Sequence, residues 1–454
     1  MPATDRATSD TPGPATADRS AADAVFGPGL VVKPFRGLRY DPAQVSDLAA
    51  VTCPPYDVID PDSASHLEDL DPHNVVRLIL PREHADERGS RYAQARDVLD
   101  RWMAAGVLQR DPEPALYVYE QSGDGLLQRG LLGAVALRDP AERVVLPHED
   151  VMPGPVADRL ELMRATSANL EPILLVYDGG GDTAAVIDEV CAGPPLLETC
   201  TEDGLVQRLW VLTDPALQNR VARDLAPRQT LIADGHHRYA TYRQLQAEHR
   251  AAGDGTGDWD LGLALLVDSR SYPLHVRAIH RVVGDLPLEE ALQLVEPVFR
   301  VRRLPVTGPG AGHGPDLAAA LDALENDDGR HPFVVTDGHV FALIDEPATA
   351  AVEAALPPAE HSPAWRSLDA SVLHAVVLDQ LWGADSNGRR TDYLHDAGAA
   401  VRAAQRNGGV AVLMRAVTVD VVHALAARGE RMPRKSTSFG PKPRTGLVLR
   451  LLDR

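Results

Sequence analysis

Five consecutive residues, Asp234-Gly235-His236-His237-Arg238, bring together side chains suited to proton transfer and to anion binding. They lie inside Gln229–Tyr242, where Gln229–Asp234 reads as a short buried strand and the chain from His236 to about Arg250 reads as a helix. A tight strand-to-helix turn favours glycine, which tolerates unusual backbone angles. A helix N-terminus offers free backbone N–H groups and the positive end of a dipole, so this junction can seat an anion. Arg238 adds a planar fork suited to phosphate or carboxylate. Asp234, His236 and His237 supply acid–base or metal chemistry. The plain alternative is an aspartate capping a helix beside two surface histidines.

Three further blocks carry chemistry. Pro147-His148-Glu149 lies shortly before Asp158-Arg159. A carboxylate next to a histidine suits proton transfer, and Glu149 could take a proton from a substrate hydroxyl if folded against the Asp234 turn. A solvated loop glutamate is the alternative; Arg159 is either an anion ligand or an ordinary helix-start arginine. Near the C-terminus, Met432–Pro443 concentrates Lys435, Ser436, Thr437 and Lys442 in an otherwise acidic chain. That suits a phosphate or carboxylate, although the spaced glycines and Gly-Lys-Ser/Thr order of a Walker loop are missing. A basic surface turn is the alternative. Finally, Cys53–Ile59 with the preceding Arg36-Gly37 could place Tyr56 and Asp57 at a pocket; packing of the Pro54-Pro55 turn explains the same residues. Cys53 has no histidine fixed beside it, and the adjacent His236 and His237 do not form a zinc-binding HxxxH pair. No metal ligands are assigned.

The elements that must position these blocks follow from periodicity. Asn74–Leu80 alternates as a strand, and Ser90–Ala105 carries one apolar helical face. Ala115–Glu120 and Gln128–Leu137 read as a hairpin, Pro172–Tyr177 and Leu205–Leu212 as strands, and Thr183–Cys191 as a helix. After the organising strand and helix come strands at Leu261–Val267 and His275–His280. The pattern then changes: helices at Pro287–Glu296, Leu368–Leu381 and Val419–Ala427 mix with strands at Phe333–Thr336, Val340–Ile344, Gly409–Met414 and Gly446–Leu452. Thr307–Pro315 reads as a flexible Gly-rich loop. The division this suggests is a disordered tail at 1–28, an N-terminal and core domain at 29–285, and a C-terminal α+β domain at 286–454.

Composition bounds the function. The chain has 454 residues, 44% of them apolar and 24% charged, as in globular proteins. No apolar run reaches the ~18 residues of a membrane helix, and the N-terminus lacks the basic-then-apolar layout of a secretory signal. A net charge of −20 argues against bulk electrostatic binding to nucleic acid or acidic membrane. The cysteines Cys53, Cys191 and Cys200 match no zinc spacing and cannot all pair, which fits a reducing cytoplasm.

The blocks Phe35–Tyr40, Pro54–Ile59, Pro147–Glu149 with Asp158–Leu160, Ala233–Tyr239 and Met432–Leu447 occur in the order that marks the prokaryotic domain-of-unknown-function family 1015, which this chain resembles over almost its whole ordered length. It departs at Ser438 and Gly440, where that pattern often carries an aromatic. A more distant resemblance is to the free-serine kinases of the ParB/sulfiredoxin-like superfamily. Their order of His-Glu, Arg-Leu, Pro-Ile-Leu and Asp-Gly-x-His-Arg is matched by His148-Glu149, Arg159-Leu160, Pro172-Ile173-Leu174 and Asp234–Arg238. A long segment separates Pro172–Tyr177 from the Asp-Gly turn here, whereas the kinases join them closely.

The resemblance implies an α+β fold with a ParB/sulfiredoxin-like core around residues 115–285, elaborated at both ends. It implies phosphotransfer to or from a small hydroxylated metabolite, L-serine first. Glu149 would be the base, with Asp234 and His237 completing the catalytic set. Gly235, His236, Arg238, Arg159, His148, Lys435, Ser436, Thr437, Lys442, Tyr56, Asp57 and Arg36 would bind phosphate or substrate. A nucleotide, ATP or ADP, is expected with Mg²⁺, for which Asp234 or Asp57 is a partner. The rivals are a phosphomonoester hydrolase of the phosphoserine-phosphatase kind, with His237 or Glu149 activating water, and a non-catalytic ParB-like nucleotide-binding regulator. The regulator would need a basic helix-turn-helix, and none is found.

Overall fold

The computed structural model describes residues 26–82, 90–305, 317–384 and 389–453. The tail expected at 1–28 lies outside these as far as residue 25, and so does the Thr307–Pro315 loop. The fold is mixed α+β. Its largest element is a nine-stranded sheet. In spatial order the strands are Val145–Leu146, Thr230–Asp234, Ile173–Tyr177, Leu261–Asp268, Leu126–Ala136, Leu116–Gly123, Val206–Leu212 and Leu197–Cys200, with Val32–Lys33 added against Val135 and Ala134. Two pairs are parallel: Thr230–Asp234 with Val145–Leu146, and Leu261–Asp268 with Ile173–Tyr177. The rest are antiparallel. A six-stranded sheet built from residues 280–413 follows, and a four-stranded sheet joins Gly37–Tyr40 to Leu108–Arg110 and to Leu449–Leu451, which also pairs with Ala168–Asn169.

The central strands read as nearly continuous apolar runs because both faces of the large sheet are covered. On one face Leu131, Leu175, Ile232, Ala264 and Leu266 meet Tyr239, Tyr242 and Leu245 of the His236–Ala252 helix and Leu160 and Met163 of the Pro153–Thr166 helix. On the other face Tyr117, Leu174, Leu231, Leu263 and Leu265 meet Val422, Leu425, Met432, Phe439 and Leu447 from the end of the chain. The C-terminal segment is thus a cover for the core sheet. It brings the basic block along with it.

Most predicted elements appear near their expected positions, the organising pair as Thr230–Asp234 and His236–Ala252. Three differ. Asn74–Leu80 is not a strand: Val76–Ile79 forms a short helix, with Asn74 Oδ1 accepting from Val76 N at 2.9 Å. Val75, Val76, Leu78 and Ile79 are all buried, and a short apolar run does not by itself distinguish strand from helix. His275–His280 splits into two short strands, His275–Arg277 and His280–Val283, in different sheets. After the polar stretch at Glu149 comes the helix Pro153–Thr166, with proline in its first turn, where it is compatible with helix geometry, and with Arg159 inside it and not at its start.

Leu447→Ala should remove a nearly buried side chain from the covered face (3% exposed) and lower stability by about 2–5 kcal/mol. Leu127→Ala, at a side chain 49% exposed, should change it by less than about 0.5 kcal/mol. Chemical denaturation of the two variants checks the contrast.

Candidate active site

The strand-to-helix junction works as its residue types suggest. Gly235 has φ +93°, and a Cβ there would lie 2.8 Å from Ile173 Cγ2, so both backbone freedom and close approach require glycine. No side chain caps the helix that follows. The first-turn N–H groups of His236, His237 and Arg238 therefore keep the open, positive end of the helix towards a cavity of about 220 Å³.

Four distant blocks line this cavity: Tyr56 and Asp57, Glu149 and Met152, Asp234 to Arg238, and Lys435, Thr437 and Lys442. Lys435 sits at φ +55°, a left-handed conformation uncommon outside glycine, in the turn that aims the block at the cleft. Ser436 is buried, with its hydroxyl donating to the Pro433 carbonyl, so it shapes that turn instead of lining the cavity. Arg159 lies behind the cleft. It is buried, donates to the Ile79 carbonyl at 2.6 Å and to Asp158, and stacks over the Tyr56 ring. Arg36 is elsewhere, bonded to the Pro112 carbonyl 3.0 Å away, and does not line the cleft.

The charges are mostly paired already. Lys442 Nζ bridges Asp57 and Asp234, the latter at 2.6 Å, and Asp234 is also held by Arg238. Burial opposes the charge on Asp57, but Lys442 and Arg238 more than offset it and hold the carboxyl below its usual range. Burial likewise opposes the charge on Lys442, and Asp234 and Asp57 hold the proton on. The two carboxylates expected to meet Mg²⁺ therefore converge on an ammonium group, and as arranged they offer no open cation site. Lys435 is exposed, and no carboxylate is paired with it among the described residues. It is the cleft's uncommitted cation.

The two adjacent histidines have an unforeseen task. His236 Nε2 accepts the backbone N–H of His148 at 3.2 Å, and His237 Nε2 accepts that of Met152 at 3.0 Å. Each imidazole is held neutral, chiefly by burial, with His148 adding to the effect on His236 and Lys435 to that on His237. A neutral ring can accept through Nε2 only if its proton is on Nδ1. The pair thereby pins the 148–152 loop and sets Glu149 facing the cleft. Any acid–base use of His237 must run through Nδ1.

His148 itself is fully buried behind the cleft. Its Nε2 meets Thr437 Oγ1 at 2.9 Å, and Thr437 donates to Glu149 Oε1 at 2.8 Å. Burial raises the Glu149 carboxyl above its ordinary value, with Asp234 contributing; Thr437, Lys435 and Lys442 oppose the rise. Donor atoms of His148, Glu149 and His236 lie within 4.8 Å of one another. They do not suit a metal ion, because His236 Nε2 already faces an amide and Thr437 Oγ1 occupies the space between the other two.

Sequence reasoning missed two contributors. Glu171 is buried, accepts Tyr56 N–H at 2.9 Å and lies among Arg238 and Arg159; its only signal was a charge directly before a buried strand. His395, between the Thr391–Leu394 strand and the Ala397–Arg406 helix, lines the cleft with no local signal at all.

The Lys442 bridge generates a pH-dependent prediction. A carboxyl depressed in the fold, as at Asp57, stabilises above its unfolded value and loses that contribution as pH falls through its folded value. An amine raised in the fold, as at Lys442, stabilises below its unfolded value and loses it as pH rises through its folded value. Lys442→Met should therefore destabilise most between about pH 4 and 10. The expected loss is about 1–3 kcal/mol, less than for a fully buried pair because the edge of Asp57 reaches solvent. Denaturation of both proteins from pH 3 to 8 should show the gap narrowing at the acid end.

Residues 32–371 match the model of a family described as "Protein of unknown function (DUF1015)". No curated protein matches the chain. Among solved structures it is similar to a mutant free serine kinase in complex with AMP, at 15% identity and a TM-score of 0.36, covering 67% of this chain and 88% of that one. It is also similar to a conserved hypothetical protein from Pyrococcus furiosus, at 15% identity and a TM-score of 0.35, covering 68% and 92%. A third similarity is to SbnI with a C-terminal truncation from Staphylococcus aureus, at 12% identity and a TM-score of 0.35, covering 70% and 87%. The family match runs through three of the four blocks that meet in the cleft, and on it the chain belongs to the DUF1015 family.

Proposed function

We propose that this protein is a small-molecule phosphotransferase of the kinase kind, acting on a hydroxylated metabolite with L-serine the first candidate. One observation carries the reading: the carboxylate of Glu149, the uncommitted ammonium of Lys435 and an uncapped helix N-terminus share one cavity. Phosphoryl transfer needs positioning, charge neutralisation and one group to receive a proton. The order of motifs shared with free-serine kinases supports the same assignment of Glu149 and of the Asp234–Arg238 turn.

In this reading the first-turn N–H groups and Lys435 hold the phosphates of ATP or ADP. Arg238 acts mainly by holding Asp234 and the Pro172 carbonyl in place. The acceptor hydroxyl lies against Glu149. Its oxygen forms the new bond to phosphorus, its proton passes to Glu149, and the bond from phosphorus to the donor's bridging oxygen breaks, its electrons leaving with the shorter nucleotide. Any Mg²⁺ would arrive on the nucleotide's phosphates. The free cysteines suit a cytoplasmic setting, and among the described residues no helix is long and apolar enough to cross a membrane.

The test is product analysis of the purified protein with L-serine and ATP or ADP, beside thermal-shift titration with both nucleotides, serine and phosphoserine. Phosphate release from phosphoserine without a nucleotide would favour a hydrolase instead. Glu149→Gln should lower turnover by roughly two to four orders of magnitude while nucleotide affinity and melting temperature hold. Lys435→Ala should weaken nucleotide binding about 10–100-fold, the loss of one charge-assisted contact, with little effect on folding because the side chain is exposed.

A further inference from the structure

The Thr437 hydroxyl sits between Glu149 Oε1 at 2.8 Å and His148 Nε2 at 2.9 Å. A hydroxyl has a single proton to give. Thr437 is 9% exposed and His148 fully buried, so the His148 side of the hydroxyl is closed to water. Two arrangements complete the path, one with Glu149 ionised and one with its proton on Oε1. When Glu149 is ionised, Thr437 donates to it, and His148 must donate to Thr437 from Nε2–H. Nδ1 then carries a lone pair, and in this geometry Nδ1 makes no hydrogen bond. When Glu149 is protonated, it can donate to Thr437, and Thr437 donates to His148 Nε2. The ring proton then belongs on Nδ1. The two arrangements differ by one proton, held on Glu149, and by the histidine tautomer. The imidazole is neutral in both.

We infer that His148, Thr437 and Glu149 act as one unit, in which the tautomer of the buried imidazole follows the protonation of Glu149 through the Thr437 hydroxyl. Thr437 is thereby a positioning residue for Glu149 and not a phosphate ligand. Burial keeps the ring neutral by pushing His148 down to about 3, with the Arg431 guanidinium acting in the same direction. The other charges that face Glu149 are Lys435 and Lys442 from the C-terminal block and Asp234 from the central strand, and His236 lies beside it on the helix. A bound phosphate would add negative charge among these and favour the protonated state.

The link to catalysis rests on the proposed role of Glu149 as proton acceptor, but the tautomer itself can be read without any substrate. The full chain, labelled with ¹⁵N-histidine and δ-¹³C-glutamate, would be followed by NMR as pH falls. His148→Asn and Glu149→Gln assign the two signals. The expected result is a His148 ring that is protonated at Nε2 when Glu149 is ionised and moves to Nδ1–H at the midpoint of the Glu149 titration, staying neutral throughout. In Glu149→Gln the tautomer should no longer respond to pH. Thr437→Val should uncouple the two signals, and Thr437→Ser should keep them coupled. A His148 tautomer that ignores the Glu149 titration in the unmodified protein overturns the inference, whether or not the Thr437 variants fold. Full turnover in Glu149→Gln would instead overturn the assignment of the base while leaving a measured coupling intact.

Discussion

The ammonium of Lys442, held between Asp57 and Asp234, is the contact on which the rest of the cleft depends. It joins three parts of the chain that are remote in sequence: an N-terminal loop, the end of the central Thr230–Asp234 strand and the C-terminal block. Asp234 lies at the end of a strand covered on both faces, where an unpaired carboxylate would be expensive. Arg238 and Lys442 together make its charge tolerable, and in doing so they fix the helix start and the C-terminal block relative to each other. The cost of an unpaired buried charge thus acts as a geometric constraint.

Hydrophobic burial delivers Lys442 to that place. Met432, Phe439 and Leu447 flank and interleave the polar residues of the block, and all three pack on the face of the nine-stranded sheet opposite the helices. The apolar residues anchor the segment, and the turns between them leave Lys435, Thr437 and Lys442 facing the cleft. A segment that looks like a basic surface turn is in fact a cover of the core. Its affinity for the sheet needs no ligand.

The histidines illustrate how polar groups are spent in such a site. His236 and His237 accept two backbone N–H groups of one loop, and His148 on that loop closes a hydrogen-bond path to Glu149 through Thr437. Neutral imidazoles suit this work because each carries one donor and one acceptor. The result is a carboxylate held by its neighbours and facing a cavity whose remaining positive charge, among the described residues, is Lys435 and the helix N-terminus.

The sequence by itself determined the local elements and the inventory of reactive groups. Gly235 between an apolar strand and an amphipathic helix announces the turn, because few other residues accept its backbone angle at so close an approach to Ile173. The mixed α+β character follows from the alternation of short apolar runs with helical faces. Where that signal is short, as in Val76–Ile79, burial on all sides overrode it. Only the tertiary structure decided what each polar side chain does. Hydrogen-bond and ion-pair partners depend on distances between segments hundreds of residues apart, such as His148 with Thr437 or Asp57 with Lys442, and no local pattern encodes them. For the same reason Arg36 looked like its fellow candidates and lies elsewhere, while His395, with no neighbourhood to mark it, sits at the cleft.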